Sequence, residues 1–103
     1  MELLKGKKAL VTGGTAGIGR GIALTYAKQG ASVVIFGTNP ERGAAVVEEM
    51  KAAKRRDDQV FAFIAVDVSQ HEPVNKAVAE AAEMLGSIDI LVNNAGITRD
   101  TLL

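Results

Sequence analysis

The sequence contains no cysteine and no tryptophan, and histidine and tyrosine occur once each. Without cysteine, the chain cannot form a disulfide scaffold, a cysteine-ligated zinc site, a thiolate nucleophile or an iron–sulfur cluster. His71 is the only histidine, which excludes a metal site built on two histidines and a Ser-His-Asp triad. We therefore predict no metal site in this chain.

An excess of charge of one sign and long apolar runs are also missing. Twelve Lys and Arg residues balance twelve Asp and Glu residues, so the net charge is zero. Such a balance provides no electrostatic footprint for nucleic acid or for an anionic membrane. No apolar run approaches the length of a membrane span, and the first residues lack the apolar segment of a signal peptide. We expect a cytoplasmic protein with neither nucleic acid nor membrane as a partner.

What the sequence does contain is an alternation of short β-rich runs and longer segments of helical period. Hydrophobic residues make up 48 % of the 103 residues, as in one small globular domain. The order of elements is β-α-β-α-β-α-β. The predicted strands cover residues 9–11, 32–36, 60–66 and 88–92, and the predicted helices cover about residues 18–29, 40–54 and 72–85.

Helix ends carry specific signals. Gly30 and Gly86 are predicted to end the first and third helices, because glycine accepts the left-handed conformation needed there. Asn39 before a proline predicts the start of the second helix. Ser69 and Glu72 fit a capping box before the third. The apolar faces are predicted to consist of Ala44, Val47 and Met50 in the second helix, and of Val74, Ala77, Val78, Ala81, Ala82 and Leu85 in the third.

This alternation predicts the fold class α/β. Strands joined by helical crossovers form a parallel sheet with helices on both faces. The expected structure is the N-terminal half of a doubly wound parallel sheet of the Rossmann type, with strand order 3-2-1-4. Residues 1–103 would then be the N-terminal dinucleotide-binding part of a single domain whose remainder is absent from the chain.

A glycine-rich segment follows the first predicted strand. Residues 12–19 have the sequence TGGTAGIG and lead directly into a helix. Glycines at this place let the chain turn tightly, and the helix behind them offers free N–H groups and a positive dipole end to a pyrophosphate. A glycine-rich turn without a ligand is the plainer alternative. A Walker A loop is excluded, because no Lys-Ser/Thr pair follows the glycines.

Two motifs resemble the hallmarks of the short-chain dehydrogenase/reductase family. They are TGxxxGIG at residues 12–19 and NNAG at residues 93–96, and Asp67-Val68 matches a third, softer hallmark. The resemblance covers the whole chain. Within the family, residues 93–103 are similar to the 3-oxoacyl-[acyl-carrier-protein] reductases of fatty-acid synthesis, as are Arg20 and Gly37-Thr38. This resemblance implies NADPH-dependent reduction of a 3-oxoacyl thioester on acyl carrier protein.

The resemblance also implies roles within residues 12–19, which we call the phosphate loop. Gly13, Gly17 and Gly19 would shape the loop. The Ile18 amide would bond the pyrophosphate. Thr15 would contact the adenosine ribose or its phosphate.

Further roles follow at the ends of the third and fourth strands. The Asp67 carboxylate would accept from the adenine amino group, the Val68 amide would donate to the ring, and Asn94 would bond back to the central strands. Plainer alternatives remain open: Asp67 could cap a helix, and the two asparagines could form a turn. The residues implied to line the nicotinamide-side ribose are Asn93, Ala95 and Gly96.

The end of the second strand carries the signal for cofactor choice. NAD-binding folds place an acid about 20 residues beyond the loop, whereas this chain has Gly37, Thr38 and Asn39 there. A 2′-phosphate would meet no repulsion, so NADP(H) is favoured over NAD(H). The Arg that the family usually provides before the second loop glycine is replaced by Ala16. Thr38, Asn39 and Arg42 are candidate substitutes.

No catalytic residue is predicted in this chain. The resemblance implies a Tyr-x-x-x-Lys pair and a Ser, but the only tyrosine is Tyr26, and Gly30 stands four residues later. The chain alone is expected to be inactive, and the full-length protein to be a homo-oligomer, usually a tetramer in this family. Three alternatives remain open: a module that binds NAD(P) without turnover, a half-domain that pairs with another chain, and a family member acting on a different alcohol or ketone.

Overall fold

Strands and helices alternate along the chain in the predicted order. The computed structural model describes residues 2–94, so the predictions for Ala95 and Gly96 lie outside the described residues. None of the helices within residues 2–94 is long and apolar enough to cross a membrane. The elements are β1 (Lys8–Thr12), α1 (Gly17–Lys28), β2 (Ser32–Gly37), α2 (Pro40–Ala53), β3 (Phe61–Ala65), α3 (His71–Leu85) and β4 (Ile90–Asn93).

The four strands form one parallel sheet in the order β3-β2-β1-β4, which confirms the predicted fold class and topology. Leu10 of β1 lies between Val34 of β2 and Leu91 of β4. The side chains of the two central strands are almost completely buried because helices cover both faces of the sheet. The carboxyl ends of all four strands meet at one edge, beside the phosphate loop.

Two hydrophobic clusters lie on opposite faces of the sheet. The larger one joins the sheet to α1 and α2, and the smaller one joins it to α3. Their buried members are Ala9, Val11, Ala23, Ala27, Ala31, Val33, Ile35, Val46 and Met50 on the first face, and Leu10, Val34, Phe36, Ile64, Val66, Ala77, Ala81 and Leu85 on the second.

The buried face of α2 differs from the prediction. Met50 is buried as predicted and Val47 is half-buried against the same cluster, but Ala44 is exposed. The other buried residues of α2 are Gly43 and Val46. A Cβ at position 43 would overlap the ring of Phe63 in β3. Glycine therefore lets α2 lie directly on this ring, and a pattern that counts only apolar side chains misses such a contact.

Three of the helix-end predictions are confirmed. The Asn39 side chain caps α2 by accepting from the Arg42 amide at 3.0 Å, and Gly86 ends α3 with φ at +86°. Gly30, with φ at +95°, directly follows the C-cap of α1. The capping-box prediction at Ser69 is wrong. Gln70 is the N-cap of α3, without a side-chain bond, because the Ser69 hydroxyl donates instead to Asp67.

The apolar face of α3 is narrower than predicted. Ala77, Ala81 and Leu85 are buried, but 37 % of Val78 is exposed. This stripe at i, i+4 and i+8 contacts the sheet along a single line, and Val78 lies beside it next to a cavity. Val78 is therefore exposed because it lies outside the buried stripe and borders the cavity.

Candidate functional site

The phosphate loop, α1 and the end of β4 meet at a close junction. The Asn94 side chain donates to the Gly13 carbonyl at 3.1 Å. A Cβ at Gly19 would overlap that carbonyl oxygen and lie 2.7 Å from the Asn94 amide nitrogen. Gly19 has no positive φ, so glycine is required here for space and not for conformation. Asn94 was expected to bond back to the central strands, and its partner is the first residue after β1.

Within residues 2–94, no side chain caps the backbone amides at the start of α1. The N-cap residue is Ala16, in an extended conformation, and no acidic residue lies in the first turn. Gly17 has φ at +57°, and a Cβ there would meet no atom within 4 Å. Ile18 is 75 % exposed. With only the described residues considered, this helix end is open, and a ligand has direct access to the amides of the first turn.

The side chain of Thr15, a residue of the phosphate loop, lies against the end of β2. It fills the space next to Gly37, where an added Cβ would be 2.6 Å from the Thr15 methyl carbon. Within residues 2–94 its half-buried hydroxyl has no hydrogen-bond partner in the protein. The hydroxyl is therefore available to a ligand beside the loop.

Asp67 forms a turn after β3. One carboxylate oxygen accepts from the Ser69 amide at 2.9 Å and from the Ser69 hydroxyl at 2.7 Å. These two hydrogen bonds hold the pKa of Asp67 below its ordinary value, the amide bond contributing most. Asp67 is an exposed carboxylate that is ionised at neutral pH, and only one of its oxygens is used by this turn. Val68 beside it is 38 % exposed.

Asn93 is held at the end of β4 by its neighbour in β1. Thr12 pairs with Asn93 in the sheet, and the Thr12 hydroxyl lies 3.2 Å from the Asn93 side-chain oxygen as donor. The same hydroxyl lies 3.4 Å from the Val92 carbonyl oxygen. The structure thus fixes Asn93 at the sheet edge next to the phosphate loop.

A cavity of about 390 Å³ continues from this edge along the α3 face of the sheet. Its polar end combines Thr12, Asp67, Ser69 and Asn93, which the ends of β1, β3 and β4 bring together. Its apolar walls could not be recognised from the sequence, because apolar side chains in strands and helices are expected in the core and Val68 was predicted to act only through its amide. These walls are Leu10, Phe36, Val68, Val74, Val78 and Leu91.

Three residues after β2 were candidates to replace the family's Arg, and they differ in whether their side chains are free to contact a ligand. Thr38 is exposed directly after β2, and the Asn39 side-chain oxygen is already engaged in capping α2. Arg42 is exposed in the first turn of α2. Among the ion pairs within residues 2–94, none uses Arg42. Arg42 is therefore a cation near the end of β2 that forms no ion pair within those residues, and it follows Glu41 in the same turn.

Arg20, one of the residues of the resemblance, has a structural partner. Its guanidinium group forms a two-pronged ion pair with Glu49 and thereby ties α1 to α2. The hydrogen bond from Arg20 holds the pKa of Glu49 below its ordinary value.

Within residues 2–94, no group of three or more His, Cys, Asp and Glu side chains is arranged to hold a metal ion.

The chain is similar to known proteins of one family. The family model described as short chain dehydrogenase matches residues 7–103. The 3-oxoacyl-[acyl-carrier-protein] reductase FabG of Chlamydia pneumoniae is 47 % identical over 100 residues, which are 97 % of this chain and 39 % of that protein. A 3beta-hydroxysteroid dehydrogenase of Mediterraneibacter gnavus is 48 % identical over 91 residues, covering 88 % of this chain and 32 % of that protein.

A solved structure supports the same assignment. The chain superposes on a short chain dehydrogenase from Mycobacterium smegmatis with a TM-score of 0.84 and 32 % identity, over 94 % of this chain and 40 % of that one. The chain thus spans about two fifths of the length of such relatives. Because the family model covers nearly all of its residues, the chain belongs to the short-chain dehydrogenase family.

Proposed function

We propose that the chain forms the dinucleotide-binding part of an NADPH-dependent reductase that acts on 3-oxoacyl thioesters of acyl carrier protein. The observation that carries the proposal is the N-terminus of α1, where Ala16 provides no side-chain acceptor for the backbone amides. Amides and helix dipole together favour an anionic ligand such as a pyrophosphate. The chain spans 39 % of the Chlamydia pneumoniae relative, so the activity is proposed for the larger protein that contains it.

The residues at the sheet edge fit the remaining parts of a dinucleotide. Thr15 has a hydroxyl available for the adenosine ribose or its phosphate. Asp67 keeps one carboxylate oxygen outside its turn, which suits the adenine amino group, and the Val68 amide would serve the ring. Asn93 would contact the ribose next to the nicotinamide, and the same role is proposed for Ala95 and Gly96. When bound, the nicotinamide supplies the hydride of the reduction.

The absence of an acid at the end of β2 supports NADPH as the cofactor. An acid at that place accepts from the ribose 2′-hydroxyl of NAD and repels a 2′-phosphate. This chain has Gly37, Thr38 and Asn39 instead, and the exposed Arg42 adds positive charge nearby. The adenosine end of the site is therefore suited to a 2′-phosphate.

The proton needed for carbonyl reduction has to come from outside residues 2–94. Tyr26 is the only tyrosine, and it packs against the cluster beneath α1 and α2. It lies nine residues after Gly17, or roughly 13 Å along the helix axis, toward the end of α1 that faces away from the phosphate loop. We therefore propose that residues 2–94 bind and orient the dinucleotide, and that the proton donor belongs to another part of the protein.

The relatives suggest two substrate classes. One similar protein is named as a 3-oxoacyl-[acyl-carrier-protein] reductase and another as a 3beta-hydroxysteroid dehydrogenase, at nearly the same identity. Several further relatives carry the reductase name, with 44 % to 47 % identity over almost the whole chain. We favour the thioester for this reason, and the hydroxysteroid is the second candidate.

A substrate panel tests the proposal. The intact natural protein that contains this chain is assayed with an acetoacetyl thioester and NADPH, and with a 3β-hydroxysteroid and oxidised NADP or NAD. We expect thioester-dependent oxidation of NADPH and no turnover of the steroid. Turnover of the steroid alone would reassign the substrate, and dinucleotide binding without any turnover would favour a module that senses NAD(P).

Replacing Thr38 by aspartate should shift the cofactor preference from NADPH toward NADH by about tenfold or more, because the carboxylate repels the 2′-phosphate and accepts from a 2′-hydroxyl. Thr38 is exposed, so the new side chain displaces no neighbour. The measurement is the ratio of kcat/KM for the two cofactors. The control is Thr38→Asn, because asparagine has nearly the size of aspartate but no charge. It should keep the preference for NADPH. A wild-type preference for NADH would refute the cofactor assignment.

A further inference from the structure

The space beside Gly37 is filled by a side chain of the phosphate loop. A Cβ at position 37 would lie 2.6 Å from the methyl carbon of Thr15, 3.2 Å from its hydroxyl oxygen and 3.4 Å from the ring of Phe63. Gly37 has no positive φ, so any residue can adopt its backbone conformation. Glycine is therefore needed at this position only because Thr15 occupies the volume of a side chain.

The backbone on each side of this contact is held by hydrogen bonds. Gly37 pairs with Ala65 of β3, and its carbonyl accepts from the Val66 amide at 2.9 Å. The loop is fastened to the same strand, because the Gly14 amide donates to the Phe36 carbonyl at 3.1 Å. A methyl group added at position 37 has to be accommodated by the Thr15 side chain, which is the most mobile part of the contact.

We propose that Gly37 is a positioning residue that sets where Thr15 stands in the dinucleotide site, so that residues 15 and 37 form a steric pair. The proposal rests on the proposed function, since Thr15 is taken to contact the adenosine ribose or its phosphate. Bulk at position 37 would push the Thr15 hydroxyl out of the ribose region and weaken binding, although residue 37 itself need not contact the ligand. Loss of the Thr15 methyl group would remove the conflict.

The pair also limits how the cofactor preference can change. An acid at the end of β2 is the usual determinant of NAD binding, and Gly37 is the last residue of that strand. With Thr15 in place, an acid at position 37 would collide with the loop before it reached a ribose. A change to NAD through position 37 therefore needs a smaller residue at position 15 as well, whereas the exposed Thr38 has no such requirement.

A double-mutant cycle in the intact natural protein tests the pair. The variants are Gly37→Ala, Thr15→Ser and the two combined. Thr15→Ser removes the methyl carbon at 2.6 Å and keeps the hydroxyl. Gly37→Ala should weaken NADPH binding about tenfold or more in the wild-type background, as expected for overpacking. Thr15→Ser measures by itself what the loss of the methyl group does to binding. Adding Gly37→Ala to Thr15→Ser should weaken binding by less than about threefold further.

Calorimetry gives the dissociation constants, and thermal unfolding without ligand gives the stability of each variant. Gly21→Ala is the matched control, because a Cβ there would meet no atom within 4 Å. Gly37→Ala that binds like wild type, or that weakens binding as much in the Thr15→Ser background as in the wild-type background, would overturn the steric pair alone. Gly37→Ala that does not fold, followed by a double variant that folds and binds, would support it. A wild-type protein that binds neither NADPH nor NADH would overturn the proposed function and the positioning role together.

Discussion

We expect Gly19→Ala to destabilise the protein by about 3 kcal/mol and to reduce dinucleotide affinity by at least about a hundredfold. The added Cβ would overlap the Gly13 carbonyl oxygen and lie 2.7 Å from the Asn94 amide nitrogen. To make room, α1 has to shift away from the loop, and the hydrogen bond from Asn94 to Gly13 has to break. The shift displaces the amides of the first helical turn, which are the groups proposed to hold the pyrophosphate.

Chemical denaturation and calorimetry measure the two effects. Gly21→Ala is the matched control, since it lies two residues later in the same helix and its Cβ would point into open space. That variant should gain about 0.5–1 kcal/mol, as alanine does over glycine inside an exposed helix. Asn94→Ala should have a smaller effect than Gly19→Ala, because it removes one hydrogen bond without forcing the backbone apart. Equal stabilities for Gly19→Ala and Gly21→Ala would show that the junction is not close-packed.

Most of the fold could be predicted because its signals are local. The apolar run of β2 indicated a strand covered on both faces, and the alternation of strands and helices gave the parallel order that the structure shows. Asn39 and Gly86 acted where such residues ordinarily act, at the start of one helix and the end of another. Each of these signals depends only on a residue and its immediate neighbours.

The failed predictions have a common physical cause, which is competition with a partner that the pattern does not show. Ser69 has the correct spacing for a capping box, but its hydroxyl donates to Asp67 two residues earlier. Gly43 faces Phe63 without contributing any apolar side chain, so the apolar pattern of α2 was assigned to Ala44. The spacing of residues along the chain shows neither the second hydrogen-bond partner of Ser69 nor the ring that packs on Gly43.

The places of the candidate site residues in the fold could be predicted from the sequence, but their contacts could not. Motif residues such as Gly13, Asp67 and Asn93 lie at the same edge of the sheet, as strand order requires. The close contacts at Gly19 and Gly37 depend on the distances from α1 and the phosphate loop to the neighbouring elements. Those distances cannot be predicted from the sequence, because a glycine that is needed for space and not for a positive φ has no local sequence signal. The ion pair between Arg20 and Glu49 was missed for a related reason, because it joins side chains on two different helices.

Gln59 is the clearest structural residue that sequence reasoning overlooked, and its replacement should have the second large effect. It is 9 % exposed. Its amide nitrogen donates to the carbonyls of Ala27 and Ala31 at 3.0 and 2.7 Å. Its oxygen accepts from the amides of Arg55 and Arg56 at 2.7 and 2.8 Å. One side chain thereby ties the end of α1 and the start of β2 to the loop before β3.

Gln59→Leu should cost about 3 kcal/mol of stability, because four backbone groups lose their partner and some of them remain buried. Gln59→Glu tests the mechanism by charge. The amides of Arg55 and Arg56 bond one carboxyl oxygen of the new side chain in either protonation state. The other oxygen is buried against two carbonyl oxygens, which disfavour the ionised form, so the folded-state pKa should lie above the unfolded value of about 4.3. The protein should then lose stability as the pH rises above that value and regain it in acid. Gln70→Glu, at an exposed helix start, should change stability by less than about 0.5 kcal/mol. Denaturation curves at pH values below and above about 4.3 give the free energy of unfolding of each variant. A free energy of unfolding that changes with pH no more in Gln59→Glu than in wild type would refute the hydrogen-bond network.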